Sequence, residues 1–359
     1  MLAFIAMTLF VSLLSGRLLD ASHYFLTTYF TLIATPFVTA AFLAPKDYMR
    51  AWIYAFVAVC FISIGAVVLL PKIGLVPPSN VPGIGSPGDW RGAFGAKNSL
   101  GHVSSVTFAL TLLFGRKPLG NVVFWGAALA ASGICVILSH SSTGYIIAAA
   151  LPAFYFAVIY PKGVFKVLSI IATTVATSLA LAFHTELVEF ALSLVHKTAN
   201  LSGRTDIWRS VGDMVPEAGL FGHGIGYSST KDFTDQLMSR FGLAYTHNEM
   251  LDLDLNFGII GALAFVGISV YALVRAWRRS DLSKSQAEAR NFLTLFYVAW
   301  IISGLTETSA GPLLLFYMTP FFGFLACSTV VNRSPTRSRK SEPRPTGKSP
   351  ERMRIVDVG

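Results

Sequence analysis

The stretch THNEMLDLDLNFGIIG, Thr246 to Gly261, opens a long apolar run that continues past residue 270. Its reading decides the fold. Thr246 and Glu249 have the T-x-x-E spacing of a capping box, which predicts a helix start at Thr246 with His247 in the first turn. The positive end of that helix favours a neutral imidazole, suited to accept a proton from a hydroxyl. Asp252 and Asp254 then lie one to two turns deeper, about 8–11 Å along the axis. Carboxylates at such depth in a membrane helix are costly and face a cavity or a partner. Either the segment does not span a membrane, or its polar residues have a function.

Composition decides for the membrane. The chain has 359 residues, of which 53% are apolar and only 13% charged, with a mean hydropathy of +0.59. Charges are missing over repeated runs long enough to cross a bilayer as helix, such as 51–70, 122–138 and 167–183. The runs are continuously apolar rather than alternating, which favours helices over a barrel. We expect an all-α polytopic membrane protein with about ten transmembrane helices, at 1–15, 24–44, 51–70, 99–114, 121–138, 144–160, 166–184, 249–275, 291–306 and 312–331. A long loop at 185–248 carries amphipathic helices.

The net charge of +9 does not point to nucleic acid, because eight basic residues sit in the Ser- and Pro-rich tail after Val331. We read 1–331 as the membrane domain and 332–359 as a basic, disordered tail facing anionic lipid. The three cysteines fall inside apolar runs, so neither a disulfide nor a metal site is expected. Loops containing Lys46/Arg50, Arg116/Lys117, Lys162/Lys166 and Arg275–Arg290, together with the tail, hold 19 of the 28 Lys and Arg residues. The positive-inside rule makes these cytoplasmic. Both termini are then inside, and loops 71–98 and 185–248 lie outside.

Polar residues gather on that outer side. Asp89–His102, DWRGAFGAKNSLGH, brings Arg91, Lys97 and Asn98 to the start of a span. They read either as interfacial anchors around Trp90 or as a cationic patch for a phosphorylated ligand. Ser139–Gly144, SHSSTG, is a short turn in which Ser141 and Thr143 cap the next helix. His140 stands there without a visible acid partner or oxyanion elbow, which argues against a nucleophile site. In LSGRTDIWRSVGDM, Ser202 is an N-cap candidate, and Ile207, Val211 and Val215 repeat at helical spacing. Arg204 lies near that helix start and reads either as an ordinary surface arginine or as a clamp whose two-pronged guanidinium suits a diphosphate. FGHGIGYS lacks a following GK[ST] and a preceding strand, so it reads as a tight bend rather than a nucleotide loop.

Four segments in this order, WRGAFGAKNSLG, SHSSTG, SGRTDIW with GHGIGYS, and HNEMLDLDLNFGIIG, resemble the O-antigen ligase/polymerase superfamily of bacterial envelope glycan enzymes. The first and last look most like its exopolysaccharide-production branch, the ExoQ-type proteins. The resemblance covers roughly residues 85–320. It implies a GT-C-like fold in the inner membrane, an active site on the periplasmic side and an inverting glycosyltransferase that needs no metal, nucleotide or soluble cofactor. The partners it implies are a glycan on undecaprenyl diphosphate, membrane lipids and other polysaccharide assembly proteins. By the same resemblance His247 would be the base that activates the acceptor hydroxyl and Arg204 a clamp on the donor diphosphate. Arg91 and Lys97 would add charge, with Asn98, Asn248, Asp252 and Asp254 in support. Two departures favour a polymerase over a ligase that uses a lipid A-core acceptor. The arginine of the family's S-x-S-R-G turn is missing from SHSSTG, and Asn256 stands where an acidic residue is usual. A flippase for the same lipid-linked sugars is the rival from another class, but polar residues along several spans and an internal repeat are not visible.

Overall fold

The computed structural model describes residues 44–78, 86–165, 167–168, 171–172, 204–224, 226–242, 245–278, 282 and 284–305. These residues form helices and no named strand; one isolated bridge joins Leu75 to Trp90. In chain order the longer helices are α1 (Pro45–Leu69), α2 (Lys97–Phe114), α3 (Val122–Leu138), α4 (Ser142–Phe154), α5 (Arg204–Ala218), α6 (Lys231–Phe241), α7 (Glu249–Trp277) and α8 (Lys284–Gly304). A π-helical turn, Tyr155–Ile159, extends α4. Among the described residues, three helical stretches are long and apolar enough to cross a membrane: Lys46–Leu69, Ser142–Ile159 and Glu249–Arg275. The shorter α3 is also apolar. Helices stand at six of the ten expected spans. Those expected at 1–15, 24–44 and 312–331 lie outside the described residues, as does most of 166–184.

The burial pattern along α1 shows how such a helix sits. Met49, Ile53, Phe56, Cys60 and Ser63 are buried at helical spacing, whereas Tyr54, Phe61 and Ile62 on the other face are exposed. The buried stripe joins a core shared with α2, α4, α7 and α8, in which Phe56 meets Phe296 with ring centroids 5.6 Å apart. Phe265 meets Trp300 edge-on at 5.5 Å in the same core. Without water to drive the packing of lipid-embedded helices, such van der Waals contacts and close backbone approach hold them together.

Among the described residues the most enclosed helix is α2, which buries His102, Ser104, Ser105, Thr107 and Thr111. Several of its hydroxyls are satisfied locally: Ser104 donates to Leu100 O at 2.6 Å and Thr107 to Val103 O at 2.6 Å. Ser105 reaches across to Gly144 O of α4 at 2.7 Å. Gly101 makes that crossing possible, since a Cβ there would overlap the Ser141 side chain.

The opening stretch is a broken helix. Within α7, Gly258 leaves helical geometry with φ 65° and ψ 178°. In an unbroken helix Leu255 and Asn256 would accept from the amides four residues on. Here their carbonyls accept instead from His223 N at 2.8 Å and Gly224 N at 3.0 Å. Ile260 N in turn donates to Leu220 O at 3.3 Å. The backbone of the FGHGIGYS bend therefore replaces the hydrogen bonds that the break frees. Asn256 fastens it further, donating from Nδ2 to Ser228 Oγ at 2.9 Å and accepting from Ser228 N at 3.2 Å.

The residues before the break belong to a small second core. Ile207 and Val211 of α5, Phe233 and Leu237 of α6 and Leu255 of α7 are buried together. The amphipathic reading of 204–215 thus holds at Ile207 and Val211, and their partner is the first half of α7. The polar residues of THNEMLDLDLN ride on this capped, protein-packed half rather than on a bare lipid-facing helix.

Gly258 occupies a backbone region open essentially to glycine, at a cost of about 1–3 kcal/mol for other residues, and an added Cβ would also overlap Leu220 O. Gly222 (φ 76°) is equally constrained, with Gly258 N 2.5 Å from its Cβ position. Gly258→Ala and Gly222→Ala should each lower the thermal midpoint of the detergent-solubilised protein by several degrees. Gly126→Ala, in the open interior of α3 with nothing within 4 Å, should leave it unchanged or raise it.

Candidate functional site

Charged and polar side chains converge where α1 ends, α2 begins, and the α3–α4 turn and the start of α7 lie. Asp89, 5% exposed, is the hub of the first group. Its Oδ2 accepts from Lys97 Nζ at 2.6 Å and from Ser86 N at 3.0 Å, and its Oδ1 bonds His140 Nδ1 at 2.8 Å. Burial alone would raise the Asp89 pKa, but the bonds from Lys97, His140 and Ser86 outweigh it and hold the carboxyl below its ordinary range. A carboxylate only accepts, so Nδ1 of His140 carries a proton in this contact.

Arg91 is held on the other side of the same loop. Its Nε donates to Ile73 O at 2.8 Å and its Nη2 to Lys72 O at 3.1 Å. The guanidinium therefore closes the turn at Pro71–Gly74 and is fixed in orientation. Its remaining N–H groups leave room for a further acceptor. Lys97 is pre-paired with Asp89, so its charge at this site is largely balanced by the carboxylate. Asn98, the next residue of α2, is half-buried beside it.

The SHSSTG turn caps α4 as its hydroxyls suggest: Ser141 is the N-cap, and its Oγ accepts from Gly144 N at 3.2 Å. His140, the residue before that cap, has a left-handed backbone (φ 47°) and a 58% exposed side chain. The sequence showed no acid partner for it. The structure supplies Asp89, 51 positions upstream. Only the loop geometry brings the two together, so no local spacing could have shown the pair.

The start of α7 differs from the capping-box expectation. Asn248, not Thr246, is the N-cap, and its Oδ1 accepts from Met250 N at 3.0 Å and Leu251 N at 3.2 Å. Thr246 is committed elsewhere, with its Oγ1 donating to Asp252 Oδ1 at 2.7 Å and its carbonyl accepting from Trp208 Nε1 at 2.9 Å. Glu249, the expected reciprocal cap, is 1% exposed and packs against Gly304. His247 therefore precedes the helix instead of lying in its first turn. It is half-buried, has φ 51°, and its ring meets Tyr245 edge-on at 6.5 Å.

Among the described residues, His140 and His247 are the two non-glycines with positive φ. Each stands directly before an N-cap. Such backbone is uncommon and persists where surrounding contacts impose it, often at working sites. A chain of contacts links the two helix starts. Glu249 touches Gly304, Ser303 Oγ lies 3.0 Å from His102 Nδ1, and Gly101 abuts Ser141. His102 and Ser303 are both fully buried, and this pair, too, was not visible in the sequence. Asp252 is spent on Thr246, whereas Asp254 Oδ1 is buried with no hydrogen-bond partner among the described residues. Arg204 is the first residue of α5; the position of its side chain lies outside the described residues.

The lowered Asp89 pKa makes a pH prediction. A depressed carboxyl contributes stability that is present above its unfolded pKa and lost as pH falls through the folded value. Asp89→Asn should cost about 1–3 kcal/mol at neutral pH, because Lys97 loses its partner. It should also flatten the fall in thermal midpoint between about pH 5 and pH 2. An acid limb identical to that of the unaltered protein would contradict the role given to Asp89.

Residues 127–266 match the family model described as O-antigen ligase. The match runs from within α3 to within α7, so it takes in His140, Arg204, His247 and the Gly258 break, while Asp89, Arg91 and Lys97 precede it. Comparison with curated proteins finds no match. Over the segment 127–266, somewhat under half of its length, this helical chain is similar to the O-antigen ligase family.

Proposed function

We propose that the chain is a periplasmic-face glycosyltransferase of the bacterial inner membrane, which extends or transfers a glycan carried on undecaprenyl diphosphate. The observation that carries this reading is His247, held in strained left-handed backbone ahead of the α7 N-terminus within the family-matched segment. In the reaction, the imidazole takes the proton of an acceptor hydroxyl as its oxygen attacks the anomeric carbon of the donor. The bond from that carbon to the diphosphate oxygen breaks, and the diphosphate leaves with the electron pair. The attack comes from the face opposite the leaving group and inverts the centre. Arg204 meets the developing charge, and Arg91, fixed by the 72–73 carbonyls, adds a second guanidinium at low reorganisation cost. The activated donor brings its own leaving group, so the scheme calls for no metal or nucleotide.

Polymerisation is favoured over transfer to a lipid A-core acceptor, as in the ExoQ-type branch. SHSSTG has no arginine, and the nearby cation Lys97 is balanced by Asp89. Asn256, in place of the usual acid, is spent on fastening the 220–228 loop to α7.

A second assignment of the base has its own observation: His140 is oriented by Asp89 as a general base would be, on a side chain that is 58% exposed. Single variants separate the two. His247→Ala should reduce polymer formation by about 10²–10⁴-fold, the usual contribution of a general base, with membrane insertion and thermal midpoint retained. His140→Ala should reduce it by less than about tenfold, as expected of a residue outside the proton transfer. The reverse order would move the base to His140. Arg204→Lys should lower the rate about 10²-fold, since a point charge does not replace a two-pronged donor; an unchanged rate would remove Arg204 from the diphosphate site.

A further inference from the structure

At the opposite end of the bundle lies a cavity of about 390 Å³ that the glycan chemistry does not use. It forms where α1 begins, α2 ends and the short helix Arg116–Leu119 turns back beside α8. Four cations line it, Lys46, Arg50, Arg116 and Lys117, against two carboxylates, Asp47 and Glu288. Lys117 and Glu288 pair at 3.4 Å, a loose and exposed contact. Lys46 and Arg116 have no ion-pair or hydrogen-bond partner among the described residues. The floor is apolar, made by Met49, Leu113 and Phe114.

The wall beside Arg50 is built rather than incidental. The Arg50 guanidinium lies 5.7 Å from the centre of the Tyr54 ring, and Tyr54 Oη donates to Pro118 O at 3.0 Å. Beyond Tyr54, the same exposed face of α1 presents Phe61 and Ile62. Phe61 stacks on Phe124 of α3 at 6.4 Å, so α1 and α3 offer one continuous apolar strip. A cationic mouth with an apolar floor, opening onto an apolar strip at the end of membrane helices, has the chemistry of a phospholipid site. The phosphate meets the cations and an acyl chain follows the strip.

We propose that this cavity binds an anionic phospholipid, with Arg50 and Arg116 holding the phosphate and the Tyr54–Phe61 face of α1 holding a chain. The site depends on the bundle alone and stands apart from the glycosyltransferase reading. Its test is native mass spectrometry of the purified full chain in detergent, titrated with phosphatidylglycerol or phosphatidylcholine of the same acyl composition. Both lipids carry a phosphodiester, but only phosphatidylcholine adds a quaternary ammonium that the four lining cations repel, so the intact protein should retain phosphatidylglycerol at least about tenfold better. Arg50→Gln with Arg116→Gln should remove most of that preference. Lys231→Gln with Arg240→Gln, which lowers the positive charge equally on α6, should keep it. Equal retention of the two lipids, or equal loss in both double variants, would overturn the site. Displacement of the bound lipid by millimolar glycerol phosphate would overturn the lipid assignment, because the cavity would then be reading phosphate alone. A thermal midpoint within a few degrees of the unaltered protein in each variant ensures that the loss is one of binding.

Discussion

A helix that breaks beside a lipid bilayer exposes amides and carbonyls that lipid cannot satisfy, and protein must do so instead. Around Gly258 this requirement organises one end of the molecule. The 220–224 backbone enters the break and exchanges three hydrogen bonds with α7. That exchange requires Gly222 to approach within contact of the α7 backbone and Asn256 to hold the loop from the side. With the loop anchored, α5 and α6 pack on the first half of α7. The start of α7, with His247 and Asn248, is thereby fixed at the end of the bundle.

The same principle accounts for the other side of the site. Asp89 is nearly buried, and it remains ionised because three donors converge on it from a loop, from α2 and from the α3–α4 turn. The carboxylate ties together segments far apart in sequence and orients the His140 ring. Two histidines thus stand before two helix N-termini at one end of the bundle.

Much of the architecture was legible in the chain. The apolar runs predicted helices at α1, α2, α3, α4, α7 and α8, and the amphipathic spacing of Ile207 and Val211 announced a packed surface helix. Three features were not legible, each for a physical reason. The capping box at Thr246 failed because the helix begins two residues later: Thr246 Oγ1 accepts from Asn248 N, ahead of the helix, and Asn248 Oδ1 takes the amides of Met250 and Leu251. The glycines of FGHGIGYS signalled a bend but not its target, which lies more than thirty residues on in α7. Asp89 and His140 meet through tertiary structure alone, so the turn looked as though it lacked an acid. Residue types marked the right segments; which side chain was already occupied depended on the fold.

Formation of a glycosidic bond from a lipid-diphosphate donor is tested most directly by reconstituting the purified protein in liposomes with its lipid-linked repeat. Glycan length and free undecaprenyl diphosphate are followed together. The expected result is a ladder of lengthening glycan, with one diphosphate lipid released for each bond formed. Movement of the lipid-linked repeat across the bilayer with no new bond and no released carrier would contradict it.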